Sequence, residues 1–140
     1  MAYDIDSFNA DNVATYPARW LAKMFGEEYY DTLEDITCSH INLAFSRKPE
    51  YMGWGYWNNY WGGGEKRTDT EFSFANYNEA ERRLTEYSRI GKKTEDLLAS
   101  LDEKSKPAFY QLLYYPVKGA ELMNHMTIKG QFYRQYVRQQ

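Results

Sequence analysis

Residues 78–101, NEAERRLTEYSRIGKKTEDLLASL, decide the fold. Apolar or small side chains recur in this stretch at spacings of four and three, which places them on one face of an α-helix. The predicted buried face consists of Ala80, Leu84, Tyr87, Gly91, Thr94, Leu98 and Leu101. The opposite face carries charges of both signs, which is typical of a solvated surface and not of a binding patch. Its members are Glu81, Arg82, Arg83, Glu86, Arg89, Lys92 and Lys93.

The same periodicity predicts three further helices, at about residues 9–25, 27–46 and 105–140. Pro17 starts or bends the first helix, and Pro49 follows the second. Pro116 falls inside the last helix and removes the N–H that would bond the carbonyl of Leu112, so we predict a kink there. No stretch alternates convincingly with period two. The sequence therefore predicts an all-α antiparallel bundle of about four helices.

Length and composition favour one folded domain spanning residues 1–140, with a linker at residues 1–8. The 14 Tyr, 7 Phe and 4 Trp supply the apolar area that the aliphatic residues lack. A net charge of −3 argues against a dedicated nucleic-acid binder, and no run of apolar residues is long enough to span a membrane. Because the last nine residues still read as amphipathic helix, we expect a fragment of a larger protein.

Between residues 50 and 75 the helical pattern stops, and aromatic side chains alternate with glycine and asparagine. In one interpretation the rings cover an end of the bundle or dock on a neighbouring domain. In the other, the rings stack on sugars and the asparagines bond hydroxyl groups. The candidate carbohydrate-binding residues are Trp54, Tyr56, Trp57, Asn58 and Trp61.

The chain offers little for catalysis or metal binding. His40 and His125 have no further ligand at a metal-binding spacing, so we interpret both as satisfied core histidines and expect no metal or other cofactor. Two carboxylates could cleave a glycoside only inside a cleft that raises the pKa of one of them. A small bundle with one loop encloses little, so no catalytic residue is expected among the carboxylates in or beside the loop: Glu50, Glu65, Asp69 and Glu71.

Three motifs are specific enough to compare with known families: RKPE at residues 47–50, YNEAER at residues 77–82 and AFYQLLYYPVK at residues 108–118. Together with Ala120 and the stretch from Trp20 to Gly26, they resemble the helical-bundle region of glycoside hydrolase family 115, the xylan α-1,2-glucuronidases. The resemblance covers about residues 4–138.

The resemblance implies a multidomain parent enzyme that removes glucuronic acid or its 4-O-methyl form from xylan, with inversion and without a metal. Its catalytic carboxylates would lie in a preceding (β/α)₈-like barrel, for which 140 residues are too few. We therefore expect a non-catalytic domain that is inactive alone. Its expected partners are the barrel, a second copy in a homodimer and, through the parent, xylan; neither nucleic acid nor membrane is expected. The chain carries no targeting signal, and the resemblance implies a periplasmic or secreted parent.

Arg47, Lys48 and Glu50 stand at a predicted helix end beside a proline. In the parent enzyme these charged residues would contact the barrel as an interdomain surface. The alternative is a local role, in which Arg47 and Lys48 neutralise the carbonyl end of their own helix.

Overall fold

Helices α1 (Tyr16–Phe25) and α2 (Tyr30–Ser46) form a packed hairpin, joined by Gly26 and a 3₁₀ turn at Glu27–Tyr29. The structure is a computed structural model that describes residues 9–52 and 69–140. Helix α1 begins later than the sequence predicts, because Pro17 occupies its first turn, where a missing N–H costs nothing. Pro17 therefore starts this helix.

The rest of the bundle is a second pair of long helices. A 3₁₀ turn at Pro49–Tyr51 follows α2, and α3 spans Glu79–Ser100. The chain then forms α4 (Lys106–Phe109), a π-helical segment (Tyr110–Tyr114) and α5 (Tyr115–Val137) without interruption. Helix α3 packs between α2 and α5. The described residues contain helices and no strand, which confirms the predicted all-α bundle.

The main core joins all the long elements. Phe25 of α1 meets Phe109 of α4 edge to face, with ring centroids 5.2 Å apart. Tyr87 of α3 is fully buried, but it is the one buried tyrosine among the described residues, so this core is less rich in tyrosine than the composition predicts. The other large apolar side chains that are fully buried in this core are Leu33, Ile36, Ile90, Phe109 and Val117.

The π-helical segment ends two residues before Pro116. The N–H of Tyr115 donates to the carbonyl of Tyr110, five residues back, so one extra residue is accommodated in this turn. Helix α5 then continues through Pro116, which sits in its first turn. The proline is therefore tolerated at the point where the hydrogen-bonding pattern changes from π-helical to α-helical. The kink itself stays a prediction.

Candidate functional site

A buried arginine organises the junction of three helices. Arg83 on α3 is only 4% exposed. Its Nε donates to Asn124 Oδ1 at 2.6 Å, and its Nη1 donates to Leu43 O at 2.9 Å and Ser46 Oγ at 2.7 Å. Its Nη2 donates to Arg47 O at 2.7 Å. One guanidinium group therefore ties α3 to α5 and to the carbonyl end of α2.

The surroundings of Arg83 suit a buried cation. The carbonyl end of α2 carries the negative end of its dipole, which a guanidinium neutralises. Leu43 O also accepts from Arg47 N at 3.3 Å and from Ser46 Oγ at 2.8 Å. The Arg83 guanidinium carbon also lies 4.6 Å from the ring centre of Phe72 and 5.2 Å from that of Tyr87. Burial lowers the pKa of Arg83, but a guanidinium stays charged in proteins. The group acts as a capping side chain for α2 supplied by another helix.

The prediction that Arg83 lies on the solvated face of α3 is wrong. The face of α3 that is buried has the same three-four spacing as the predicted face but a different register. Its positions are 80, 83, 87, 90, 94, 97 and 101. Hydropathy favoured Leu84 and Leu98 instead, and both are only half-buried. The burial of Arg83 could have been predicted from its position, because it stands three residues after Ala80 and four before Tyr87 and so shares their helix face.

The structure places the RKPE segment at the end of α2. Arg47 Nη2 donates to Tyr51 O at 3.0 Å, and its Nη1 lies 3.4 Å from Glu71 Oε1. Lys48 is exposed, and only the backbone of Glu50 is described, in the 3₁₀ turn. Arg47 is thus engaged within its own chain. Arg83 also neutralises the carbonyl end of α2. The interdomain contact through Arg47, Lys48 and Glu50 and the local role of Arg47 and Lys48 both stay predictions.

The two ends of the aromatic segment are fixed to neighbouring turns of α5. Met52 is 3% exposed and belongs to a small apolar cluster with Ile128. On the other side, Thr70 N and Oγ1 donate to Gln131 Oε1 at 2.8 and 2.6 Å, and Gln131 Nε2 donates back to Thr70 O at 3.1 Å. Ile128 and Gln131 are three residues apart and share one helix face. The candidates Trp54, Tyr56, Trp57, Asn58 and Trp61 themselves lie outside the described residues.

An open groove of about 780 Å³ runs beside Arg83. Among its carboxylates, Glu86 accepts two hydrogen bonds from Arg89, which lower the pKa of Glu86 and keep it ionised. Glu79 accepts a hydrogen bond from Ser73 N at 3.0 Å. A glycosidase acid needs a raised pKa, and Glu86 shows the opposite. The groove is lined by Leu43, Ser46, Phe72, Asn78, Glu79, Glu81, Arg82, Arg83, Thr85 and Glu86.

The two histidines occupy different surroundings. His125 Nε2 lies 2.8 Å from Ser88 Oγ, as expected for a satisfied histidine. The same prediction is wrong for His40, whose buried Nδ1 has no hydrogen-bond partner among the described residues. The pKa of each is lowered, mainly by burial. Within residues 9–52 and 69–140, no three His, Cys, Asp or Glu side chains are grouped closely enough to hold a metal ion.

None of the helices in the described part of the chain is long and apolar enough to cross a lipid bilayer.

No curated protein and no solved structure matches the chain. A family model matches the N-terminal part of the chain, up to residue 51. This part includes α1, α2, the stretch from Trp20 to Gly26 and the RKPE segment, whereas the YNEAER and AFYQLLYYPVK motifs lie outside it. Residues 1–51 match the model of glycosyl hydrolase family 115, which supports a glycoside hydrolase of this family as the relative of the chain.

Proposed function

We propose that this chain is a non-catalytic helical domain of a family 115 type α-glucuronidase that removes glucuronic acid or its 4-O-methyl form from glucuronoxylan. Its role is to support the preceding catalytic barrel of the parent enzyme. The observation that carries the proposal is that the part matching a hydrolase family forms, over its described residues, a helical hairpin packed against the rest of the bundle.

The carboxylates that the structure describes near this hairpin support a structural role. Asp35 on α2 accepts hydrogen bonds from Arg89 Nη1 at 2.5 Å and Nη2 at 2.9 Å and pairs with Lys93. These cations hold the pKa of Asp35 far below its ordinary value, so it stays ionised and paired. Such a group cannot donate a proton to a leaving sugar. The proposal therefore leaves catalysis to the barrel, in an enzyme that is periplasmic or secreted.

The test is an assay of the purified chain with glucuronoxylan. Released glucuronic acid and its 4-O-methyl form are quantified by chromatography, with an active family 115 enzyme in parallel as the positive control. We expect release no greater than in the enzyme-free blank. Turnover that persists after repurification would overturn the proposal.

A second candidate function is carbohydrate binding through the aromatic segment. The observation that favours it is the anchoring of both ends, Met52 and Thr70, on neighbouring turns of α5, because anchored ends lower the ordering cost of a binding loop. If this function holds, xylo-oligosaccharides quench tryptophan fluorescence.

The variant that tests this candidate combines Trp57→Ala with Trp61→Ala and should lose the response. Trp20→Phe is the control, because Trp20 lies on α1 and is 41% exposed. An unchanged spectrum at millimolar sugar, or equal quenching in the double variant, would exclude binding through these rings.

A further inference from the structure

A serine and a histidine meet side chain to side chain between α3 and α5. Ser88 Oγ lies 2.8 Å from His125 Nε2, and both side chains are half-buried, so solvent reaches them. Two other hydroxyl groups of α3 bond their own helix, since Thr94 Oγ1 and Ser100 Oγ donate to backbone carbonyls at 2.7 and 2.8 Å. The Ser88 hydroxyl instead contacts a ring nitrogen on another helix, which places a nucleophile within proton-transfer distance of a base.

The protonation state of His125 suits a base. Burial is the main cause that lowers the pKa of His125 below its ordinary value, so the ring is neutral at pH 7. In the tautomer that carries its proton on Nδ1, Nε2 accepts a hydrogen bond from the Ser88 hydroxyl. A histidine in this arrangement can take the hydroxyl proton as the serine oxygen attacks.

Charged side chains stand one turn before and one turn after His125 on α5. The Glu121 carboxylate fills the space that a Cβ on Gly91 of α3 would need, and Lys118 Nζ holds it at 2.5 Å. The charge of Glu121 raises the pKa of His125, so it favours the imidazolium ion that forms after proton transfer. Lys129 acts on His125 with the opposite sign and provides a cation for the oxyanion of a tetrahedral adduct.

We propose that Ser88 and His125 form a nucleophile–base pair that transfers short acyl groups from esters to water. Neither side chain lines the groove beside Arg83, so the pair is separate from the site described above. It lies on the seam between two packed helices, where a small acyl group fits more readily than a long or branched one. We therefore expect weak substrate binding, with a rate proportional to the ester concentration.

The reaction has two steps. In the first, Ser88 Oγ forms a bond to the carbonyl carbon of the ester while His125 Nε2 takes the hydroxyl proton. The tetrahedral adduct then breaks the bond to the alcohol oxygen, which receives that proton and leaves as the alcohol. In the second step, water attacks the acyl-serine with His125 again as the base, which releases the carboxylic acid and restores both side chains.

The proposal goes beyond the proposed function. Glycoside hydrolysis requires two carboxylates on either side of a sugar, whereas acyl transfer requires a nucleophile, a base and a group that stabilises the oxyanion. A chain that releases no glucuronic acid can therefore still hydrolyse an ester. The two assays succeed or fail separately.

The first test measures hydrolysis of p-nitrophenyl acetate by the full chain, as release of p-nitrophenolate above the protein-free rate. We expect Ser88→Ala and His125→Gln each to lose about 10-fold or more of this rate, because each removes one member of the pair. Ser100→Ala is the matched control and should keep the rate, because Ser100 lies on the same helix but bonds its own backbone. A Ser88→Ala variant with the wild-type rate would overturn the proposal.

Covalent labelling of the wild-type chain tests the nucleophile directly. A phosphonofluoridate reacts with an activated serine: the Ser88 Oγ–P bond forms, the P–F bond breaks, fluoride leaves and the hydroxyl proton passes to His125. Intact mass and peptide mapping should place one label on Ser88, and none should form in His125→Gln, whose fold is checked by circular dichroism. No label in the wild-type chain, label only at other residues, or equal labelling of folded His125→Gln would overturn the proposal.

Discussion

Arg83 and Asn124 bond side chain to side chain between α3 and α5, with 2.6 Å from the Arg83 Nε to the Asn124 Oδ1. The same amide donates from its Nδ2 to the carbonyl of Ala120 at 2.7 Å. Both side chains are buried, and each uses its partner to avoid an unsatisfied polar atom. Because Arg83 also bonds the carbonyl end of α2, this pair couples the matched N-terminal hairpin to the C-terminal helix.

We expect Arg83→Met to cost about 2–4 kcal/mol of unfolding free energy. The substitution removes the donor of Asn124 Oδ1 and of Arg47 O, whereas Leu43 O keeps its bonds from Arg47 N and Ser46 Oγ. Arg82→Met is the control, because Arg82 is exposed and should change stability by less than about 0.5 kcal/mol. Urea unfolding followed by circular dichroism measures both. A similar small effect for the two arginines would contradict the capping role of Arg83.

A double-mutant cycle isolates the bond itself. Arg83→Met and Asn124→Leu each remove one partner, and the double variant removes both. We expect a coupling energy of about 1–3 kcal/mol, because the second substitution no longer strands a buried polar atom. Strict additivity would show that the two side chains stabilise the fold independently.

Asp35 makes stability fall in acid. Arg89 and Lys93 hold the pKa of Asp35 far below its unfolded value of about 3.9. The stabilisation is therefore present above about pH 4 and is lost as the pH falls further. At pH 7 we expect Asp35→Asn to cost about 1 kcal/mol or less, since the Asp35 side chain is 33% exposed and solvent screens the pair.

The control for Asp35 is Asp96→Asn. Asp96 pairs with Lys92 on the surface of α3 at 62% exposure, so its removal should cost a few tenths of a kcal/mol at most. Chemical denaturation at pH 7 and at pH 3 measures both variants. The gap between wild type and Asp35→Asn should narrow at pH 3, and a constant gap would contradict the ion-pair explanation.

The burial of His40 predicts a second loss of stability, at mildly acidic pH. Its pKa is lowered by burial, so the unfolded chain takes up a proton near pH 6.5 before the folded chain does. Stability therefore decreases as the pH falls from 7.5 to 5.5, by no more than about 1.4 kcal/mol per pH unit for one histidine. We expect His40→Phe to flatten this slope. His125→Gln separates the contribution of His125, and an unchanged slope in His40→Phe would contradict the prediction.

Much of the fold could be predicted from local pattern. The helices and their approximate bounds follow from three-four periodicity and from the positions of Pro17 and Pro49, because these effects act within one turn of the chain. It was harder to predict which face of each helix is buried. On α3 a buried arginine looked like a surface residue. On α5 apolar side chains occur on all sides, so spacing alone does not separate the buried Val117 from Leu122, which is 65% exposed.

The polar contacts that fix the site could not be read from the sequence. Arg83 meets Asn124 across 41 residues, and Thr70 meets Gln131 across 61. Such pairs depend on how helices pack, and neither carries a local motif. The π-helical turn at Tyr110–Tyr114 is a similar case, since the single extra residue has no signature apart from the nearby Pro116.

Two glycines should respond oppositely to alanine. Gly26 has φ of +127°, which strains any residue with a Cβ, so we expect Gly26→Ala to cost about 1–2 kcal/mol. The new Cβ would also lie 2.7 Å from the Glu28 carboxylate, but this exposed side chain can move away. Gly119 lies within α5 with open space around it, so Gly119→Ala should stabilise the single chain by about 0.5–1 kcal/mol. The stability of both variants is measured by thermal unfolding at a low chain concentration of 1 µM. Equal shifts for the two variants would contradict this assignment.

Gln131 is expected to be the most sensitive glutamine of the chain, because it is 2% exposed and pairs with both the backbone and the hydroxyl of Thr70. Gln131→Leu strands the buried N–H and carbonyl of Thr70 and should cost about 2–3 kcal/mol. Gln111→Leu, at an exposed position, should cost less than about 0.5 kcal/mol.

Gln131→Glu distinguishes loss of the hydrogen bonds from loss of packing. The new carboxylate keeps the shape of the side chain and can still accept from Thr70 N and Oγ1, but when ionised it cannot donate to Thr70 O. Burial would raise the pKa of this carboxyl above its unfolded value, so the variant should be least destabilised below about pH 4 and increasingly so as the pH rises. Chemical denaturation of the variant and of wild type at pH 4 and pH 8 gives the comparison. If the difference in stability is the same at both pH values, the Thr70 carbonyl does not depend on a donor at residue 131.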